Sequence, residues 1–247
     1  MWMKFFAALT LLFAHGNVAA AQNEALPEPA LEKIAEGVWI HKSYGMAGKW
    51  GKVLSQGLVV KNDGGVFLVD TAWNDADTEK LLKLIEAETG ELPKAAIVTH
   101  AHADKMGGMG ALHAHDIKTF AHAFSNEDAP ARGLAPATTG LSLSENAADA
   151  SLGDGLTILY PGAGHTRDNT VVYYAPAKVA FAGCLIRPGE AKDMGNTADG
   201  DVGHWAQAVR NVADAFPDAE IVIPSHGPMG GRELLDHTIE LAEAAAA

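Results

Sequence analysis

Residues 95–108 read AAIVTHAHADKMGG, an apolar run followed at once by two histidines and an aspartate in alternation. Ala95–Thr99 has the length and composition of a buried strand. His100, His102 and Asp104 therefore start the loop at its carboxyl end, where binding groups gather in sheet proteins. Three further stretches share that context. His165 follows Pro161, Gly162, Ala163 and Gly164 just after an apolar run, Cys184 follows Val179–Gly183, and His226 follows Glu220–Ser225. Imidazole, thiolate and carboxylate are the side chains zinc prefers. His100, His102 and His165 plus water complete one tetrahedral site; Asp104, Cys184 and His226 plus water complete another. Each ion keeps a position for solvent, which fits a catalytic pair of metals better than a structural knot.

Outward from these stretches, strands and helices alternate. Gly37–His41, Gly57–Val60 and Val66–Asp70 read as strands, with a hairpin turn at Asn62–Gly65. Asp75–Glu88 reads as an amphipathic helix through Leu81, Leu82, Leu84 and Ile85. The second half repeats the scheme: strands at Leu156–Tyr160, Thr170–Tyr174 and Val179–Ala182, a helix at His204–Phe216, a strand at Glu220–Ile223 and a helix at Gly231–Ala246. The pattern predicts two sheets with helices on their outer faces and all four ligand stretches at one edge. Ala129–Ala150 reads as a surface excursion, and the alanine-rich tail from Glu240 is expected to fray. His41 at a strand end, with His113, His115, His122, His204 and His237, is assigned to packing or surface, because the zinc inventory is already full.

Met1–Lys4 carries one positive charge, Phe5–Ala14 is apolar, and Val18–Ala21 supplies small residues for cleavage. Residues 1–21 read as a cleaved secretory signal peptide, too short for a stable membrane anchor, and predict a periplasmic product. Residues 22–247 form one expected domain, long enough for a sizeable core. The formal net charge of −13 argues against nucleic acid, whose phosphates need a basic face. Cys184 is the lone cysteine, so no internal disulfide is available, and its place among other donors favours metal ligation over an inert thiol.

These residues resemble the metallo-β-lactamase superfamily, and within it the subclass B1 enzymes. The HxHxD motif stands as His100, His102 and Asp104. Lys105 follows where dinuclear hydrolases of the glyoxalase II and ribonuclease Z type carry another histidine, and Cys184 answers to the cysteine by which B1 enzymes supply the missing ligand. The stretches 100–108, 161–169, 183–186 and 224–227 look most like the New Delhi-type members, which share HAHxDKMGGM, PGxGHTxDN and GGCLI. The resemblance implies a four-layer αββα sandwich, with two mixed β-sheets and helices outside, and two zinc ions per chain. It implies His100, His102 and His165 as first-zinc ligands, with Asp104, Cys184 and His226 as second-zinc ligands. Arg187 takes the place of a substrate-binding lysine, Asn196 lies where an asparagine nears the substrate carbonyl, and Ser43–Lys52 resembles a mobile flap that includes Trp50. Lys49, Lys52 and Arg187 depart from the relatives.

The implied reaction is hydrolysis of a β-lactam amide by hydroxide generated at zinc, whose bound water has a pKa of roughly 7. Asp104 orients the nucleophile, Arg187 pairs with the substrate carboxylate, and Trp73 and Trp50 wall the pocket. Asp70, Lys105 and Ser225 are expected to hold the ligands by hydrogen bonds. The expected protein is a periplasmic monomer acting on a small molecule, with no nucleic acid partner. Two alternatives stay open: a thioester or ester hydrolase of the same superfamily, and a non-catalytic periplasmic zinc-binding protein.

Overall fold

The computed structural model describes residues 25–247; the signal peptide expected over residues 1–21 and its cleavage point lie outside them. The first sheet contains β1 (Ala30–Ala35), β2 (Val38–Met46), β3 (Lys52–Asn62), β4 (Gly65–Val69), β5 (Ala95–Val98), β6 (Lys118–His122) and β7 (Thr139–Leu141), in that spatial order. The second contains β8 (Ala148–Asp149), β9 (Leu156–Leu159), β10 (Val171–Tyr174), β11 (Val179–Gly183) and β12 (Ile221–Pro224), and its order runs from β12 back to β8. Both sheets are mixed. β1–β4 pair antiparallel and β4–β7 parallel, while β11 and β12 make the parallel pair of the second sheet. The helices are α1 (Asp75–Thr89), α2 (Ala103–Met106), α3 (Met109–Ala114), α4 (Ala123–Asp128), α5 (Val202–Ala215) and α6 (Glu233–Ala246).

Strand periodicity explains the layering. Val38, Ile40, Leu58, Val60, Phe67 and Val69 point one way and meet Ile158, Val172, Val179, Phe181 and Ile223 of the second sheet in a shared core. The alternate residues Trp39, Val59, Val66 and Leu68 face Leu81, Leu82 and Ile85 of α1. On the far side, Val171, Tyr173, Ala180 and Val222 pack against Trp205, Val209 and Val212 of α5 and Leu234 and Leu235 of α6. Strands buried on both faces have no polar alternation, which is why they read as continuous apolar runs. The result is the expected αββα sandwich.

Several boundaries differ from the sequence reading. His41 does not end its strand; it lies within β2, which continues to Met46 by pairing residue for residue with β3. The excursion after Ala129 carries the edge strands β7 and β8. The tail does not fray from Glu240: α6 runs to Ala246, in keeping with alanine's high helix propensity.

Candidate metal centre

Strand ends place every candidate ligand at one edge. β5 stops at Val98, and His100, His102 and Asp104 follow, with Asp104 in the first turn of α2. Thr170 N–H donates to Thr99 O at 2.8 Å, tying this loop to the second sheet. Asn169 fixes the His165 loop: its Oδ1 accepts from Thr166 N–H at 3.1 Å and its Nδ2 donates to Gly162 O at 2.8 Å. Gly183 has φ 59°, a left-handed turn that glycine adopts at no steric cost, and it delivers Cys184 from the end of β11. Gln56 on β3 holds the His226 loop by donating from Nε2 to Pro224 O at 2.9 Å and Gly227 O at 2.7 Å.

The donor atoms then converge. His100 Nε2 and His165 Nε2 lie 3.0 and 3.3 Å from His102 Nδ1. Cys184 Sγ lies 3.4 Å from His226 Nε2 and 3.8 Å from Asp104 Oδ2, and the last two atoms are 3.6 Å apart. Tetrahedral zinc with bonds of about 2.0–2.3 Å separates its ligand atoms by about 3.3–3.8 Å; the Cys184, His226 and Asp104 spacings and the His102–His165 spacing fall in that range, and the His100–His102 spacing is shorter. Three compact groups overlap: Asp104, Cys184 and His226; Asp104, His100 and His102; and His100, His165 and Cys184. Tautomers agree with the same reading. His226 Nδ1 meets Leu54 O at 2.6 Å, and His102 Nε2 meets Asp199 Oδ2 at 2.8 Å. Both partners only accept, so each histidine carries a proton there and faces the cluster with its other ring nitrogen.

Beneath the ligands lies a buried charge network. Lys105 Nζ is 3.3 Å from Asp104 Oδ2 and 3.5 Å from Asp70 Oδ2, and it donates to Ser55 Oγ at 2.7 Å and Gln56 O at 3.0 Å. Burial would raise the Asp104 pKa, but Lys105 and the surrounding histidines hold it well below the usual carboxylate range. Burial pushes Asp70 up to about 6, against the pull of Lys105 and Thr99. Desolvation, then the like charges of His102 and His165, keep His100 neutral well below its ordinary pKa. Asp199 is drawn down to about 2, chiefly by its hydrogen bond from Arg132.

A cleft of about 420 Å³ opens over the ligands. Arg187, Asn196, Trp73 and Trp50 all line it, as do Val53, Ile186 and Met194. Arg187 Nε donates to Asp193 O at 3.0 Å, and its guanidinium crosses Gly195, where a Cβ would come within 2.8 Å of Nη1. Asn196 Oδ1 accepts from Ala198 N–H at 3.3 Å, so the residue also shapes its own turn. The Trp73 ring lies on Gly45 near the end of β2; a Cβ there would fall 2.2 Å from the ring. Trp50 and Met46 stand exposed at 52 and 67 %, and Lys49 lies over the Trp50 ring.

Asp70 and Lys105 sit in the network around Asp104. Ser225 does not: its buried Oγ has no hydrogen-bond partner. The supporting groups absent from the sequence reading are Ser55, Gln56, Asp168, whose carboxylate accepts from Ala101 N–H at 2.8 Å, and Asp199. Spacing offers no signal for any of them, because each acts across a long sequence separation.

The sequence model of the metallo-β-lactamase superfamily matches residues 51–226. The chain belongs to that superfamily. It is 34 % identical over 213 residues to a type 2 metallo-β-lactamase of Bacillus cereus, covering 86 % of this chain and 82 % of the relative. Among solved structures it is similar to the FIM-1 metallo-β-lactamase of Pseudomonas aeruginosa in its mono-zinc form, with TM-score 0.85, 44 % identity, and 89 and 97 % of the two chains covered. A metallo-β-lactamase from Hirschia baltica gives TM-score 0.83 at 43 % identity, with 87 and 98 % covered.

Proposed function

We propose that the chain is a B1-like, type 2 metallo-β-lactamase that hydrolyses the amide bond of β-lactams. The observation that carries this is the meeting of Asp104, Cys184 and His226 beside three histidines, at the floor of a cleft sized for a small molecule. His100, His102 and His165 are assigned to a first zinc and Asp104, Cys184 and His226 to a second; six donors, twice the protein ligands of one catalytic zinc, gathered in overlapping triads support two ions per chain. Zinc held there supplies Lewis acidity and lowers the pKa of a bound water from about 15.7 to roughly 7.

The protein's own groups do the rest. Asp104, kept ionised by Lys105, accepts a hydrogen bond from the attacking water and so aims it. Arg187 pairs with the substrate carboxylate through a planar fork. Asn196, which lines the cleft, donates to the carbonyl as charge develops on it. Trp73 and Trp50 cover the apolar face of the substrate and exclude water. The New Delhi-type likeness rests on the shared motif stretches, with Lys49, Lys52 and Arg187 as departures. Among the described residues no helix is long and apolar enough to cross a membrane. The signal-like start supports a periplasmic product, and we read residues 22–247 as a monomer of one domain.

Hydrolysis of a chromogenic cephalosporin, abolished by chelator and restored by zinc, tests the reading. Turnover of thioesters alone would assign the ester-hydrolase chemistry of the superfamily instead, and zinc binding without any turnover would assign a binding protein.

A further inference from the structure

Arg132 belongs to none of the ligand stretches. It closes a short 3-10 turn, Pro130–Arg132, directly after α4. Its Nη1 donates to Asp199 Oδ2 at 2.8 Å, and the same oxygen accepts from His102 Nε2 at 2.8 Å. We propose that Arg132 is a positioning residue for the first zinc site: it holds Asp199 against His102 and so fixes which nitrogen of that histidine faces the metal. The inference rests on the zinc reading of His100, His102 and His165.

Asp199 has little else to keep it there. It lies on an irregular loop and its side chain is 39 % exposed, so water competes for the carboxylate. The loop's backbone is tied on either side, by Gly200 N–H to Thr197 O at 3.1 Å and Asp201 N–H to Gly164 O at 2.8 Å. Neither bond sets the direction of the Asp199 side chain. Arg132 does, from a rigid base. Arg132 N–H and Leu134 N–H both donate to Ala129 O, and Ala129 is fully buried.

The same segment also reaches the third histidine. Arg167, two residues after His165, donates from Nε to Asp128 Oδ2 at 2.9 Å and from Nη2 to Glu127 Oε2 at 3.0 Å. α4 and the turn after it are thus clasped to the His165 loop by one arginine and to the Asp199 loop by another. A histidine ligand needs its second nitrogen engaged to hold tautomer and ring orientation. Arg132 acts one bond further out, through the acceptor.

The test is zinc affinity measured by chelator competition on the full mature protein. Asp199→Ala should weaken the first zinc by about ten- to a hundred-fold, as loss of a direct partner does. Arg132→Ala should weaken it by roughly two- to five-fold, the scale of a partly exposed ion pair. Arg132→Lys should recover part of that. In the Asp199→Ala background, Arg132→Ala should have no further effect, since its target is gone. A bridge that serves only stability would lower the melting temperature of the zinc-free protein and leave zinc affinity unchanged. Wild-type protein that binds zinc, with Arg132→Ala indistinguishable from it or fully additive with Asp199→Ala, overturns this inference alone. Wild-type protein that binds no zinc overturns the zinc reading and the inference with it.

Discussion

The ammonium of Lys105 lies 3.3 Å from Oδ2 of Asp104 with both side chains withdrawn from water, Lys105 completely. A carboxylate buried beside Asp70 would ordinarily take up a proton, and a protonated carboxyl is a poor zinc ligand. Lys105 resolves this by compensating both acids at once. Burial lowers its own pKa, but Asp104, Asp70 and Cys184 more than offset that, so the ammonium stays charged. Lys105→Met keeps the bulk and leaves two acids uncompensated. Breaking a buried pair from one side costs about 3–5 kcal/mol, so urea unfolding of the zinc-free variant should show a loss of that order. A loss below about 1 kcal/mol, the scale of an exposed pair, would remove Lys105 from this role.

His41 should write its own signature into the acid limb of stability. Its Nε2 sits between Val69 O at 3.0 Å and Asp70 O at 3.1 Å, and Gly57 leaves the space: a Cβ there would fall 1.9 Å from that nitrogen. Burial, aided by the charge of Lys105, lowers its pKa from 6.5 to about 4. Below 6.5 the unfolded chain takes up a proton that the folded one refuses until about 4. The contribution is therefore complete above 6.5 and is lost as pH falls toward 4, by roughly 3 kcal/mol in all. His41→Gln keeps an N–H donor near the same carbonyls without titrating. Urea titrations of zinc-free protein from about pH 7 to about pH 4.5 should show a flatter decline for the variant, by up to one proton's slope. Parallel profiles would mean that His41 titrates alike in both states.

What the sequence disclosed and what it hid divide along physical lines. Ala95–Val98 and Val179–Gly183 are legible because strands buried on both faces need apolar residues at every position, and the ligands mark where the strands stop. His41 is misread as a strand end because Lys42, Ser43 and Tyr44 break the apolar pattern, while backbone pairing with β3 carries the strand on regardless. β7 and β8 are edge strands of three and two residues, too short to hold a period. Asp199 sits among Gly195, Asn196 and Gly200, a composition that reads as turn. Its contact with His102 spans 97 positions, and nothing local records it.

Cys184 should decide the second ion. Its sulfur is buried and faces His226 Nε2 and Asp104 Oδ2 at 3.4 and 3.8 Å. Serine offers a hydroxyl that does not ionise at neutral pH, and thiolate is the stronger zinc ligand by far. Cys184→Ser should keep the zinc bound by the three histidines and lose most of the other. Metal analysis after dialysis against trace zinc should fall from about two equivalents to about one. Equal zinc content in the two proteins would show that the sulfur is not a ligand.

Arg187 is the place to test how substrate is held. Its side chain is only 20 % exposed, its Nε is spent on Asp193 O, and the Asp193 carboxylate stands off at 4.0 Å. The guanidinium thus lines the cleft partly desolvated, an arrangement suited to an incoming carboxylate. Such a contact exists in the ground state and the transition state alike, so its loss appears mainly in KM. Arg187→Ala should lower kcat/KM by roughly ten- to a hundred-fold, or about 1.5–3 kcal/mol for a charge-assisted bond, with kcat falling less. Arg187→Lys should recover part of the loss, because the charge returns without the fork. Zinc content serves as the control, since Cys184 lies three residues away. If the alanine variant keeps its zinc and its wild-type KM for penicillins, cephalosporins and carbapenems, the carboxylate is bound elsewhere, and Lys49, over the Trp50 ring, becomes the residue to replace next.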